Sequence, residues 1–276
     1  MSTIDPKAFR QFEHAGWQEI ASRYHGGFAA VTSQSVTALL DAARVTKGTH
    51  VLDVACGPGY AAAAAVARGA AATGVDFSSE MVEEARGRYP GIEFREGDAE
   101  QLSFADSSFD AVVVNFGLLH LARPERAIAE AYRVLRPGGR LAFTVWDTAD
   151  KAIGFGIVLS AIQKHGDLNV PIPPGPPFFR FSDPEESRRV LAAAGFVNVA
   201  VTRVPQVWRL PFPETLFDVM YHGSVRNAAL LRAQKPDVQE AIRREILKAV
   251  TREGNELPMP AVLTSAEKEV NSTSDA

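Results

Sequence analysis

The sequence predicts a doubly wound α/β fold, a mostly parallel sheet with helices on both faces. Two observations carry that expectation. Short apolar runs recur along residues 50–146 and alternate with segments of helical period, as in strand–helix–strand units joined by right-handed crossovers. The runs themselves, such as AVVVNF at 111–116, are continuous rather than alternating. Strands buried on both faces of a parallel sheet have that texture.

Taken in order, residues 5–46 read as a polar, helical lead-in. Strands are expected at HVLDVA (50–55), AATGVD (71–76), IEFREG (92–97), DAVVVNFG (110–117) and GRLAFTVW (139–146). Ser78 or Ser79 caps the helix in DFSSEMVEEARGRY, with acids in its first turn. Pro124 opens the next helix, which sets Ile128, Ala131 and Leu135 on one face and stops at Pro137-Gly138-Gly139. Past residue 147 the pattern breaks twice. A helix over 151–164 leads into a stretch with five prolines between 171 and 177, which must be loop or extended chain. The α/β pattern resumes with a capped helix in SDPEESRRVLAAAGF and a strand in VNVAVTRVPQVW. Helices follow in FPETLFDVMYHGSVRNAALL and PDVQEAIRREILKAV, the latter with Val238, Ile242 and Ile246 on one stripe. PAVLTSAEK closes as a strand, and EVNSTSDA reads as a frayed tail. The layout is one domain over 1–276, with a helical segment 1–46 and insertions at about 147–182 and 211–256.

Composition narrows the function classes. The chain of 276 residues is 46% hydrophobic and 22% charged, ordinary for a globular protein with a full core. A net charge of -4 gives no basic field for nucleic acid or an anionic membrane surface. The single cysteine, Cys56, allows no intrachain disulfide and no multi-cysteine metal site. No His/Asp/Glu cluster shows metal-ligand spacing, so no metal is expected. The start lacks the apolar core of a signal peptide, and no apolar run approaches a membrane span. A cytoplasmic, soluble protein is the expectation.

The chemistry gathers at VLDVACGPGYAAAAA, residues 51–65, where a strand enters a glycine turn and then a helix. A triphosphate loop needs Lys and Ser/Thr after its last glycine, and Gly59 is followed by Tyr60 and alanines. A dinucleotide turn survives on spacing, with Ala62 in place of the third glycine. Against it, Pro58 removes a backbone donor and Asp53 brings a carboxylate unwelcome beside phosphate. A ligand with an ammonium group and no phosphate suits the turn better.

VLDVACGPG resembles motif I of the class I S-adenosylmethionine-dependent methyltransferases, with Ala55 where the motif has glycine. The resemblance continues in order through GVDFSSEMVEEAR, FREGDAEQLSF, SFDAVVVNFGLLHL and RVLRPGGRLAF, and is nearest to the ubiquinone/menaquinone biosynthesis (type 11) group. It covers residues 45–146 strongly and 183–203 weakly. It implies a Rossmann-like, seven-stranded sheet with helical lid insertions, and methyl transfer from S-adenosylmethionine to a small, apolar or aromatic acceptor. By the same resemblance Asp53, Ala55, Gly57 and Gly59 form the cofactor turn, Asp76 takes the ribose hydroxyls, and Asp98 with Ala99 borders the adenine amino group. Phe77 and Met81 are placed to flank the ring, and Asn115-Phe116 ends the fourth strand beneath the sulfonium.

His120 lies just past that strand, near the expected methyl, and reads either as a loop histidine bonding backbone or as a general base. Trp17, Tyr24, Phe178, Phe179 and Phe181 read as acceptor-pocket walls or as packing between lid and domain. The aromatic insertions read as a lid, and a homodimer interface would use them equally well. Two other classes share these features: an NAD(P)-dependent oxidoreductase, and a non-catalytic S-adenosylmethionine-binding module.

Overall fold

The computed structural model describes residues 4–270; the end of the expected tail, 271–276, lies outside them. The main sheet has seven strands in the order β3-β2-β1-β4-β5-β9-β6. These are β1 (His50–Val54), β2 (Ala71–Asp76), β3 (Glu93–Glu96), β4 (Phe109–Asn115), β5 (Leu135–Trp146), β6 (Phe196–Val204) and β9 (Ala261–Lys268). The first five run parallel, and β9 is antiparallel to both β5 and β6. The expected Rossmann-like sheet is therefore the observed one.

Alternation along the strands divides the core. Val51, Ala111, Val113 and Ala142 pack on one face against Leu39, Leu40, Ala61 and Ala65. Leu52, Val112, Val114, Leu141 and Phe143 point to the other, against Ile128, Ala131 and Val134. The covering helices are α3 (Val36–Ala42) and α4 (Tyr60–Ala67) on the first face and α6 (Pro124–Val134) on the second; α5 (Ser79–Arg88) packs on β2 and β3. Ser78 caps α5 by accepting from the Met81 amide at 3.2 Å. α6 ends three residues before the expected Pro-Gly-Gly stop. Leu135 is fully buried and already pairs with Phe109, so the sheet claims it first.

The lead-in is helical, with α1 (Pro6–Tyr24) and α2 (Ala29–Thr32) preceding α3. The first insertion contains α7 (Ile153–His165), and α8 (Pro184–Ala193) follows it under an Asp183 cap. The second contains α9 (Thr215–His222), α10 (Arg226–Arg232) and α11 (Pro236–Glu253). Two expected elements are split. VNVAVTRVPQVW is β6 followed by β7 (Val207–Arg209), which leaves the sheet and pairs with β8 (Glu256–Pro258). Pro205 lacks the donor to continue a ladder, and Gln206 Nε2 turns to donate to the Val31 carbonyl at 2.6 Å. FPETLFDVMYHGSVRNAALL breaks at Gly223 into α9 and α10. Ser224 Oγ joins the two, donating to the Met220 carbonyl at 2.6 Å and accepting from the Ala228 amide at 3.1 Å.

Candidate functional site

Strand order reverses at β1, which has β2 on one side and β4 on the other. Ligands of open α/β sheets bind at the carboxyl ends of strands beside such a switch point. Here those ends surround a cavity of about 760 Å³.

The turn after β1 sets its floor. Ala55, Gly57 and Gly59 all have left-handed backbone, at φ 54°, 51° and 84°. The two glycines serve different ends. A Cβ on Gly59 would lie 2.6 Å from the Phe94 ring, so this glycine is required by packing. A Cβ on Gly57 would meet nothing within 4 Å and would enter the cavity. Ala55 holds its conformation without glycine's freedom, a strain of roughly 1–2 kcal/mol. Phe116, at the end of β4, is likewise left-handed at φ 55°.

The three expected carboxylates have different surroundings. Asp53 is buried and outside the cavity wall. Its Oδ2 accepts from the Ala62 amide in the first turn of α4 at 2.9 Å, and its Oδ1 is buried with no donor among the described residues. Burial pushes its pKa up to about 7, against the Ala62 bond, with Asp76 adding to the rise. Asp76 lines the cavity, accepting from Gly57 N at 2.8 Å and Ser78 N at 3.0 Å. Its pKa is also raised by burial, held back by those two amides. Asp98 accepts from the Glu100 amide at 2.9 Å with one oxygen and pairs with the Arg10 guanidinium of α1 with the other.

Phe77, Met81, Ala99, Asn115 and Phe116 all line the cavity; Gly59 does not. Asn115 is already committed. Its amide donates to the Thr32 carbonyl at 3.1 Å and accepts from Ser35 Oγ at 3.0 Å and Thr144 Oγ1 at 2.7 Å, tying α2 to β4 and β5.

A second cavity of about 440 Å³ adjoins the first. Trp17, Tyr24, Phe116 and His120 line both, forming a shared wall.

Comparison with known proteins settles which segment carries the motifs, since residues 52–143 match the model of the methyltransferase domain family. Over that segment the chain is similar to methyltransferase domains. A demethylmenaquinone methyltransferase of Renibacterium salmoninarum is 43% identical over 103 residues, 37% of this chain and 44% of that protein. A ubiquinone/menaquinone biosynthesis C-methyltransferase of Bradyrhizobium diazoefficiens is 36% identical over 150 residues, 49% of this chain and 59% of that protein. The chain thus spans about half the length of the curated relatives it matches. Both of these relatives are named for methylation in menaquinone or ubiquinone chemistry, and the chain is similar to them over part of its length. Among solved structures, an N-methyltransferase of Haemonchus contortus, in complex with phosphomonomethylethanolamine and S-adenosylhomocysteine, aligns with a TM-score of 0.59 at 18% identity. That alignment covers 96% of this chain and 61% of the other, and shows a shared fold.

Outside the matched segment 52–143, α1 and both insertions complete the second cavity. Phe28, Trp146, Phe155 and Phe178 supply apolar walls, and Gly223–Asn227 closes one side. Phe178 is the one residue of 171–181 in that wall; Phe179 packs behind it against Phe155, and Phe181 lies on Phe143 in the core. Burial pushes the Tyr24 hydroxyl up to about 12, and it meets Thr32 Oγ1 at 3.1 Å.

His120 Nδ1 lies 3.0 Å from a carboxylate, Glu13 Oε2 of α1, rather than bonding to backbone. Glu13 is fully buried, and its Oε1 accepts from Arg226 Nε of α10 at 2.6 Å. Burial alone would raise the Glu13 pKa, yet the facing His120 and Arg226 hold it below the usual carboxylate range. Glu13, Arg10 and Arg226 were not singled out by motif. Glu13 had a readable signal: Phe9, Glu13, Trp17, Ile20 and Tyr24 recur at helical spacing, which puts an acid inside a buried apolar stripe.

Proposed function

We propose that the chain is an S-adenosylmethionine-dependent methyltransferase that binds its cofactor in the larger cavity and a small apolar or aromatic acceptor in the smaller one. The observation that carries this is the shared wall of Trp17, Tyr24, Phe116 and His120, which sets two cavities side by side at the switch point. The larger one fits the cofactor. Gly57 leaves open the space that a Cβ would fill, and the Asp76 carboxylate is fixed by two amides while keeping lone pairs for two hydroxyls. Asp53, buried behind the turn, accepts from the Ala62 amide and so ties β1 to the first turn of α4.

When bound, S-adenosylmethionine supplies a methyl group already activated on sulfur. The chain's own task is to bind, orient and dry the site. Asp76 takes the ribose diol, and Asp98 accepts from the adenine amine while sharing its carboxylate with Arg10. Phe77, Met81 and Ala99 flank the ring. Asn115 braces the end of β4 so that Phe116 faces the junction. The insertions act as a lid, and the aromatic walls exclude water and hold a flat acceptor against that junction. Such orientation contributes up to about 7–11 kcal/mol in favourable cases.

Two relatives are named for methylation in demethylmenaquinone and ubiquinone/menaquinone chemistry, so a quinol ring is the acceptor class to try first. The test is methyl transfer from labelled S-adenosylmethionine to 1,4-dihydroxynaphthalene and, in parallel, to a polar amine. Label is expected in the aromatic product alone. Binding of NADH in preference to S-adenosylmethionine would instead favour an oxidoreductase, and cofactor binding without turnover of any acceptor a non-catalytic module.

A further inference from the structure

The buried acid on α1 has a consequence for the histidine it faces. Glu13 carries two oxygens and three neighbours. Oε1 takes the Arg226 Nε–H; Oε2 lies 3.2 Å from Trp17 Nε1 and 3.0 Å from His120 Nδ1. A carboxylate only accepts and an indole only donates, so His120 Nδ1 must carry a hydrogen here. In the neutral ring the lone pair then resides on Nε2. That nitrogen has no partner among the described residues and is not among their buried orphan atoms, and the residue lines both cavities at their boundary. The ring is held from its faces and edges as well. Trp17 meets it edge-on at 4.7 Å and Phe178 at 6.2 Å.

Arg226 completes the arrangement. It lies half-buried over the Phe9 and Phe178 rings, and donates to the Pro176 carbonyl at 3.0 Å and the Leu119 carbonyl at 2.5 Å. Its positive charge faces Glu13, so the carboxylate has a partner besides the histidine.

We propose that Glu13 is a positioning residue that fixes His120 as its Nδ1–H tautomer, so that Nε2 accepts the proton of a ring hydroxyl on the acceptor. In that step the O–H bond breaks, an Nε2–H bond forms, and the bonding pair stays on oxygen; the imidazolium rests against Glu13 until it returns the proton to water. A ring hydroxyl, near pKa 10 in tyrosine, lies within reach of an imidazole base, and its oxyanion enriches both oxygen and ring carbon as nucleophiles. The inference rests on the proposed methyltransferase function for the identity of the reaction, but the tautomer does not depend on it. The charged groups around His120 are Glu13 from α1 and Arg226 from α10, and Asp76 of β2 lies close enough to feel a charge on the ring. Arg10, Asp98 and Glu100 line the same larger cavity.

The test is long-range nitrogen–proton NMR of the ¹⁵N-histidine-labelled full chain at pH 8, with His120 assigned by its loss in His120→Gln. The Nδ1–H pattern is expected in the native chain, and a substantial Nε2–H population in Glu13→Gln, whose amide can donate to Nδ1. Native His120 in the Nε2–H form would overturn the proposal, as would a folded Glu13→Gln variant with an unchanged pattern. If that variant does not fold, the native tautomer alone decides. Titration with S-adenosylhomocysteine separates the two ideas: absent binding in the native chain defeats the methyltransferase function, whatever the tautomer.

Discussion

Single residues at the turn after β1 do separable jobs. Gly57→Ala places a methyl in open space at φ 51°, so it should cost about 1 kcal/mol of stability through backbone strain. It should also weaken cofactor binding strongly. Gly59→Ala forces a Cβ to 2.6 Å from the Phe94 ring, so its main effect should be on folding. Melting temperature and calorimetric titration of the two variants check the split. Asp53 carries a pH dependence whose sign follows from its raised pKa. Between its ordinary value near 3.9 and about 7, the folded state holds a proton that the unfolded state has released. The native chain therefore loses stability as pH rises through that window, by about 4 kcal/mol at most. Asp53→Asn keeps an acceptor for the Ala62 amide and removes the titration. Urea unfolding at pH 8 should find the variant more stable than the native chain, with the advantage shrinking at pH 5; an advantage independent of pH contradicts this assignment.

At the scale of elements, legibility followed periodicity. β1, β4 and β5 were readable because apolar runs bounded by glycine, proline and polar residues leave few alternatives; Ser78 and Pro124 sit at helix starts as expected, and Asp183 caps the helix expected in SDPEESRRVLAAAGF. β7 and β8 were not, because three-residue strands paired across some fifty positions of sequence leave no periodic trace. The motif residues of the candidate site were legible up to the domain's edge, but the partners of His120 were not. Glu13 and Arg226 come from α1 and α10, and no local pattern announces that they meet. Arg226 links α1, both insertions and the loop after β4. Arg226→Ala leaves the Glu13 charge buried with its arginine partner gone, so denaturation should show a loss of about 3–5 kcal/mol. In the first insertion, Phe178 faces the smaller cavity while Phe179 backs it. Phe178→Ala should reduce acceptor use and spare cofactor affinity. Phe179→Ala should act chiefly on stability, since it removes packing without changing the wall. Steady-state kinetics beside thermal unfolding distinguishes the two.

On the scale of the whole molecule, the chain divides by task as well as by sequence. The segment 52–143, similar to methyltransferase domains, supplies the ends of β1, β2 and β4, which frame the larger cavity. The lead-in and insertions supply most of the smaller one. Similarity to the curated relatives covers 37% and 49% of the chain, and the family match ends at residue 143, before both insertions. Acceptor choice is accordingly the property expected to be particular to this chain, whereas cofactor use is the property to test first. The most direct measurement is calorimetric titration of S-adenosylhomocysteine, with NADH as the control, into the native chain and Asp76→Ala. Two hydrogen bonds to a charged acceptor, each about 1.5–3 kcal/mol, predict binding to the native chain that weakens at least tenfold in the variant, and no comparable binding of NADH. Equal affinity in both chains, or NADH binding in place of S-adenosylhomocysteine, would contradict the assignment of the larger cavity.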